Sequence, residues 1–286
     1  MNGKDVMDFG TKLRRAATKN RSWLCVGIDP AKEKMPVGLP KTTAGLVRFC
    51  TEIIRATAPD VAAFKPNIAF FEALGADAFV ALRDVLDSVP ADIPVILDAK
   101  RGDIGNTAER YAECYFDHLG VDAVTVNPYM GWDAVRPFAE RPDRAAFVLC
   151  LTSNESASQV QMLPVGSKPL FLRIARMVAA WPGTCGLVVG ATRAPLLEQV
   201  RQAAPEPIIL IPGVGAQGGD LETSVRLGSW PNGGGALVTA SRSVLYASRR
   251  ADYGEAAAKV ARTLRERIAR AEPSSDEPTA MADNSR

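Results

Sequence analysis

The 286-residue chain holds one histidine, His118. It falls mid-helix after the third predicted strand, where it reads as a partly buried helix residue. With no second histidine, a His-rich zinc site is disfavoured, and so is a Ser-His or Cys-His nucleophile. Acid–base chemistry then falls to lysine and aspartate. The five cysteines, Cys25, Cys50, Cys114, Cys150 and Cys185, form no C-x-x-C pair and lie mostly in apolar segments. That odd, unspaced set reads as reduced thiols of a cytoplasmic protein, used as small core residues. Charge of one sign is not in excess. The 34 basic and 32 acidic residues leave a net +2, which gives no electrostatic case for nucleic acid or a membrane surface. The apolar stretch 145–151 is far shorter than the ~20 residues of a membrane span. Met1 to Asp5 carries no apolar segment, so a cytoplasmic location without a secretory signal is expected.

What is present is ordinary globular composition, 47% hydrophobic and 23% charged, in a length that suits one large domain or two small ones. A leading helix is expected over 5–20. Eight strand-then-helix units come after it. The strands are expected at 23–29, 61–67, 93–100, 123–128, 145–153, 186–191, 208–212 and 235–240. The helices are expected near 42–58, 70–88 (with Gly75 a weak point), 105–119, 131–140, 169–180, 194–203, from an N-cap at Asp220, and at 252–270. Segment 154–168 reads as polar and irregular. The strands are continuous apolar runs, as strands covered on both faces should be. Eight such units indicate an α/β fold, a (β/α)₈ TIM barrel, as one domain over 1–271. A doubly wound open sheet is the alternative, but no G-x-G-x-x-G opens the first helix. The Ser-, Pro- and acid-rich tail 272–286 is expected to be disordered.

In such a barrel the active site lies at the C-terminal ends of the strands, and the polar residues gather there. Asp29 ends the first strand, Lys65 the second, Asp98 and Lys100 the third, Asn127 the fourth, and Thr152-Ser153-Asn154 the fifth. Strand alternation puts Asp98 and Lys100 on one face. Asp103 lies beyond a glycine. Charges side by side at the mouth of a core strand cost desolvation energy unless they are paired or used. A lysine flanked by carboxylates stays protonated, which suits a general acid or clamp rather than a Schiff base. The glycine-rich loop 213–219 after the seventh strand and Arg242 after the eighth are placed to bind phosphate. Gln217 in that loop is a further phosphate or ring-carbonyl ligand.

The run 96–108, Ile-Leu-Asp-Ala-Lys-Arg-Gly-Asp-Ile-Gly-Asn-Thr-Ala, resembles the D-x-K-x-x-D-I-x-x-T signature of the orotidine 5′-phosphate decarboxylase family, in its longer bacterial branch. Asp29, the Phe64-Lys65-Pro66-Asn67 run, the Pro-Gly-Val-Gly-Ala-Gln loop and the Ser241-Arg242-Ser243 run occur in the family's order. The resemblance implies decarboxylation of orotidine 5′-phosphate to uridine 5′-phosphate, without metal or cofactor. By the motif match, Lys100 protonates C6, Asp98 faces the substrate carboxylate, Lys65 bridges the carboxylates, and Asp29 takes a ribose hydroxyl. Gln217 and Arg242 hold the phosphate. Asp103, Ile104 and Thr107 cross a homodimer interface into the partner's site. Ser153 and Asn154 are candidates for the pyrimidine, although that loop does not align residue by residue. Two alternatives stay open. One is a magnesium-dependent keto-gulonate-phosphate decarboxylase of the same barrel group. The other is a non-catalytic phosphate-binding barrel whose charges form a structural network.

Overall fold

The computed structural model describes residues 7–214 and 220–273. Eight parallel strands, β1 (Leu24–Ile28), β2 (Ala63–Pro66), β3 (Ile96–Arg101), β4 (Ala123–Val126), β5 (Ala145–Leu151), β6 (Cys185–Val189), β7 (Ile209–Pro212) and β8 (Ala236–Ala240), form one sheet. Its order is β2-β1-β8-β7-β6-β5-β4-β3. The ends meet through parallel bridges between Phe64 and Val95 and between Asn67 and Asp98. The sheet is therefore a nearly closed (β/α)₈ barrel, as the eight-unit pattern requires. No helix among the described residues is long and apolar enough to cross a membrane.

Strand alternation sorts the side chains into two cores. Val26, Phe64, Leu97, Val124 and Val148 point outward and pack with the surrounding helices. Cys25, Ala63, Ile96, Ala123, Ala145 and Phe147 fill the barrel interior. The leading helix, Phe9–Asn20, closes the bottom of that interior with Phe9, Leu13 and Ala17. It begins where Asp8 accepts a hydrogen bond from the Thr11 N–H at 2.9 Å. Lys12 ties it to the buried Asp122 at 2.7 Å, and Asp122 also accepts the Val95 N–H at 2.8 Å. Nearby, the buried Arg201 donates to the carbonyls of Pro207, Gly228 and Gly235, tying the starts of β7 and β8 together. Burial lowers its pKa to about 10.

Several elements differ from the pattern-based expectation. The helix expected over 70–88 is divided into Ile68–Glu72, a 3₁₀ turn Gly75–Asp77 and Ala78–Leu86. Gly75 has φ +67°, which a right-handed helix cannot accommodate. The helix from Gly105 gives way at Glu113 to π turns through His118. These turns bury Tyr115 and Phe116 and leave His118 exposed, 3.9 Å from Glu113, rather than partly buried. Segment 154–168 contains a 3₁₀ turn, Glu155–Gln159, and Pro164–Val165 pairs with Lys168–Pro169 as a small hairpin. A short helix, Arg242–Leu245, comes directly after β8. Between β7 and β8, Asp220 caps the helix Leu221–Gly228 as expected, accepting the Thr223 N–H at 3.1 Å. In the tail, the Pro273 carbonyl lies against Gly233, and residues 274–286 lie outside the described residues.

The leading helix is thus part of the interior core. Leu13→Ala is expected to lower unfolding stability by about 2–4 kcal/mol, read by urea denaturation monitored by circular dichroism. A loss under about 1 kcal/mol, the level of an ordinary surface change, would show that this helix is not part of the barrel's cooperative unit.

Candidate active site

At the C-terminal rim a cavity of about 190 Å³ is lined by Asp29, Lys65, Asn67 and Asp98 on one side. Gly213, Thr239, Ser241 and Arg242 line the other. Its walls therefore come from the ends of β1, β2, β3, β7 and β8. Gly213 has φ +96°, so the chain turns out of β7 in a conformation that favours glycine. Gly27 in β1 makes room for the other wall. A Cβ there would lie 1.9 Å from the Ser241 Oγ.

Asp98 is the hub of the charges. Its Oδ2 accepts from Lys65 Nζ at 2.7 Å, and its Oδ1 accepts from Lys100 Nζ at 2.6 Å. The two lysines are not equivalent. The Lys65 side chain is 5% exposed and the Lys100 side chain 49%, so Lys100 is the ammonium that a ligand can approach. Burial pushes the Asp98 carboxyl toward its neutral form, but the two ammonium groups outweigh it and hold the pKa well below the usual carboxylate range. Burial likewise works against the Lys65 cation. The charges of Asp98 and Asp29 outweigh it and hold the Lys65 pKa above its ordinary value. Among the described residues Asp29 Oδ1 is buried without a hydrogen-bond partner.

Lys100 does not reach Asp98 by plain strand alternation. The β3–β4 register shifts between Leu97 and Arg101, and Lys100 sits at φ +48°. Beyond this bulge, Arg101 donates to the Tyr115 hydroxyl at 2.7 Å and to Glu72 at 2.6 Å. The bulge is held by Thr125 of β4. Its Oγ1 accepts the N–H groups of Ala99 (3.0 Å) and Lys100 (2.9 Å) and donates to Asp98 Oδ1 at 2.9 Å. The sequence does not mark Thr125, because a β-branched residue inside a strand gives no signal of its own.

The structure does not gather every candidate. Asp29, Lys65, Asp98 and Arg242 line one cavity, and Lys100 joins them through its ion pair with Asp98. Asp103, Ile104 and Thr107 are not walls of the cavity. Asp103 Oδ1 accepts the Ile104 N–H at 2.8 Å, and Ile104 and Thr107 are exposed. Ser153 lies against Gly190, where a Cβ would come within 2.8 Å of it. Asn154 accepts from the Thr152 hydroxyl at 2.6 Å. Gln161, another residue the sequence did not mark, braces this loop through both the backbone and the hydroxyl of Thr152. Gln217 lies outside the described residues. The set can hold an anion at the Arg242 side and can offer an ammonium, an ionised carboxylate and a free acceptor at the other. Among the described residues no three His, Cys, Asp or Glu side chains gather to hold a metal ion.

The profile of the Orotidine 5'-phosphate decarboxylase / HUMPS family matches residues 22–259. The chain is 50% identical over 260 residues to the orotidine 5'-phosphate decarboxylase of Herpetosiphon aurantiacus, covering 90% of this chain and 96% of that one. Among solved structures it is similar to Leishmania donovani OMP decarboxylase, with a TM-score of 0.80 and 40% identity, over 92% of this chain and 99% of that one. Leishmania donovani UMP synthase matches with a TM-score of 0.82 and 42% identity, over 92% of this chain and 57% of that longer one. With its signature charges assembled at the rim of the barrel, the chain belongs to the orotidine 5′-phosphate decarboxylase / HUMPS family.

Proposed function

We propose that this chain decarboxylates orotidine 5′-phosphate to uridine 5′-phosphate and CO₂ in pyrimidine synthesis. The observation that carries the reading is the Lys65–Asp98–Lys100 array beside a cavity that ends at Arg242. The C6–carboxylate bond breaks and its electron pair stays on C6. Lys100, the more exposed lysine, supplies the proton to that carbon. Asp98 stands next to the departing carboxylate and keeps Lys100 aimed. Lys65 neutralises Asp98 from below. Asp29, with its unpartnered oxygen, takes a ribose hydroxyl. Arg242 and Gln217 grip the phosphate, and Ser153 and Asn154 face the pyrimidine. A fixed charge array costs no reorganisation as the carbanion forms, and binding energy at the distant phosphate can be used at the ring.

In this reading no metal or cofactor takes part, and both Asp98 oxygens are held by lysines of the chain. The enzyme acts as a homodimer in which Asp103, Ile104 and Thr107 enter the partner's site. Ile104, Tyr129 and Met130 support this, since they are large apolar side chains exposed on the same side of the barrel as β3 and β4. A cytoplasmic location fits the five cysteines, all free thiols.

Purified protein should release CO₂ from orotidine 5′-phosphate at the same rate with and without EDTA. Lys100→Ala should abolish that release while still binding uridine monophosphate. Turnover retained by Lys100→Ala would remove the assignment, and loss of activity in EDTA would favour the magnesium-dependent relatives. Mixing inactive Lys100→Ala and Asp103→Ala subunits should restore part of the activity, because one hybrid site regains both residues. No recovery where subunit exchange is demonstrated would place Asp103 in its own chain's chemistry.

A further inference from the structure

We infer that Thr125 is a positioning residue for the proton donor, acting through its hydroxyl on the β3 bulge that carries Asp98 and Lys100. The inference rests on the decarboxylase reading for its effect on turnover, but not for the contacts themselves. A threonine hydroxyl has one proton to donate and two lone pairs to accept with. Here all three are used. Ala99 and Lys100 each donate a backbone N–H to it, and the hydroxyl donates to Asp98 Oδ1. Because both lone pairs are taken by N–H groups, the hydroxyl proton has one direction left, toward Asp98. An ionised carboxylate can only accept, so the bond also matches the charge state that the two lysines impose.

The backbone needs this support. Where the register with β4 shifts between Leu97 and Arg101, the Ala99 and Lys100 N–H groups turn to the Thr125 hydroxyl. Lys100 also adopts φ +48°, a conformation rare for a residue with a side chain. Such geometry persists only where the surroundings over-determine it. Thr125 is itself fully buried in β4, inside the barrel. It is therefore a rigid post from which one hydroxyl sets both the turn at Lys100 and the rotamer of Asp98. Lys65 and Lys100 also hold the Asp98 carboxylate, but through flexible side chains that do not reach the β3 backbone. Arg101, Tyr115 and Glu72 fix the chain one residue later and on the outer side.

Thr125→Val keeps the shape and removes the hydroxyl, and Thr125→Ser keeps the hydroxyl and removes a methyl. The valine variant should lower kcat for orotidine 5′-phosphate about 10- to 100-fold, the cost of a buried hydrogen bond to a charged group. Its dissociation constant for uridine monophosphate should stay within about twofold, since the phosphate grip is untouched. The serine variant should recover most of the lost kcat. Amide hydrogen exchange gives a readout independent of activity. The Ala99 and Lys100 amides should exchange faster in the valine variant and remain protected in the serine variant, while the Val124 and Val126 amides stay as in the parent. Unchanged kcat in Thr125→Val overturns the inference. So does a parallel fall in kcat, nucleotide affinity and protection throughout β4, which would mark a merely structural role. If the parent protein itself fails to turn over orotidine 5′-phosphate, the decarboxylase reading is lost. Unchanged exchange at Ala99 and Lys100 in the valine variant would then still refute the contact argument.

Discussion

Asp98 holds a single negative charge between two ammonium groups at a point where little water reaches. Taking the Asp98 and Lys65 charges out of solvent costs several kcal/mol per ion before any attraction is counted, while Lys100 stays half exposed. The arrangement persists because each oxygen is occupied, one by Lys65 and the other by Lys100 and the Thr125 hydroxyl. Removing Asp98 would leave the buried Lys65 ammonium without its hydrogen-bonded carboxylate. The array has a net charge of +1, which favours an anion. In the proposed reaction it keeps one carboxylate where the substrate carboxylate arrives, and the Lys100 ammonium is there to meet the carbanion once CO₂ leaves. The fixed charges supply transition-state stabilisation in that proposed reaction without reorganising.

The two ends of the barrel divide their work. At the bottom, hydrogen bonds and ion pairs serve only to close the fold. The leading helix seals the interior, Lys12 reaches Asp122, and Arg201 collects carbonyls. At the top, the cavity holds Asp29 Oδ1, buried without a hydrogen-bond partner among the described residues. Chemistry at one rim can thus vary while the opposite rim carries stability.

Much of this architecture is legible in the sequence, and the exceptions have identifiable causes. Continuous apolar runs ending on Asp29, Lys65 and Asp98 reveal both the barrel and its working rim, because burial on two faces leaves polar residues nowhere else to go. The bulge at Lys100 is hidden, since Ala99 and Lys100 carry no glycine or proline to announce a break in register. Alternation reaches the right pairing of Asp98 with Lys100 for an incomplete reason. Thr125 and Gln161 are silent because their importance lies in a hydroxyl or amide meeting a distant backbone, which no local pattern encodes. Gly75 and the π turns at Glu113 to His118 show the limit of helical periodicity. A left-handed residue or a widened turn leaves the apolar spacing nearly intact while redirecting the chain beyond it.

The tight meeting of Gly27 with Ser241 bears on how this site can change over generations. The Ser241 oxygen occupies the space that any side chain at position 27 would need. Drift at one position is therefore conditional on the other. An alanine at 27 requires the serine to retreat, and that retreat moves the residue that leads into Arg242. A single-step mutational path through this pair runs through a displaced cavity wall. Two strands that are adjacent in the barrel but more than two hundred residues apart in the chain thus behave as one heritable unit.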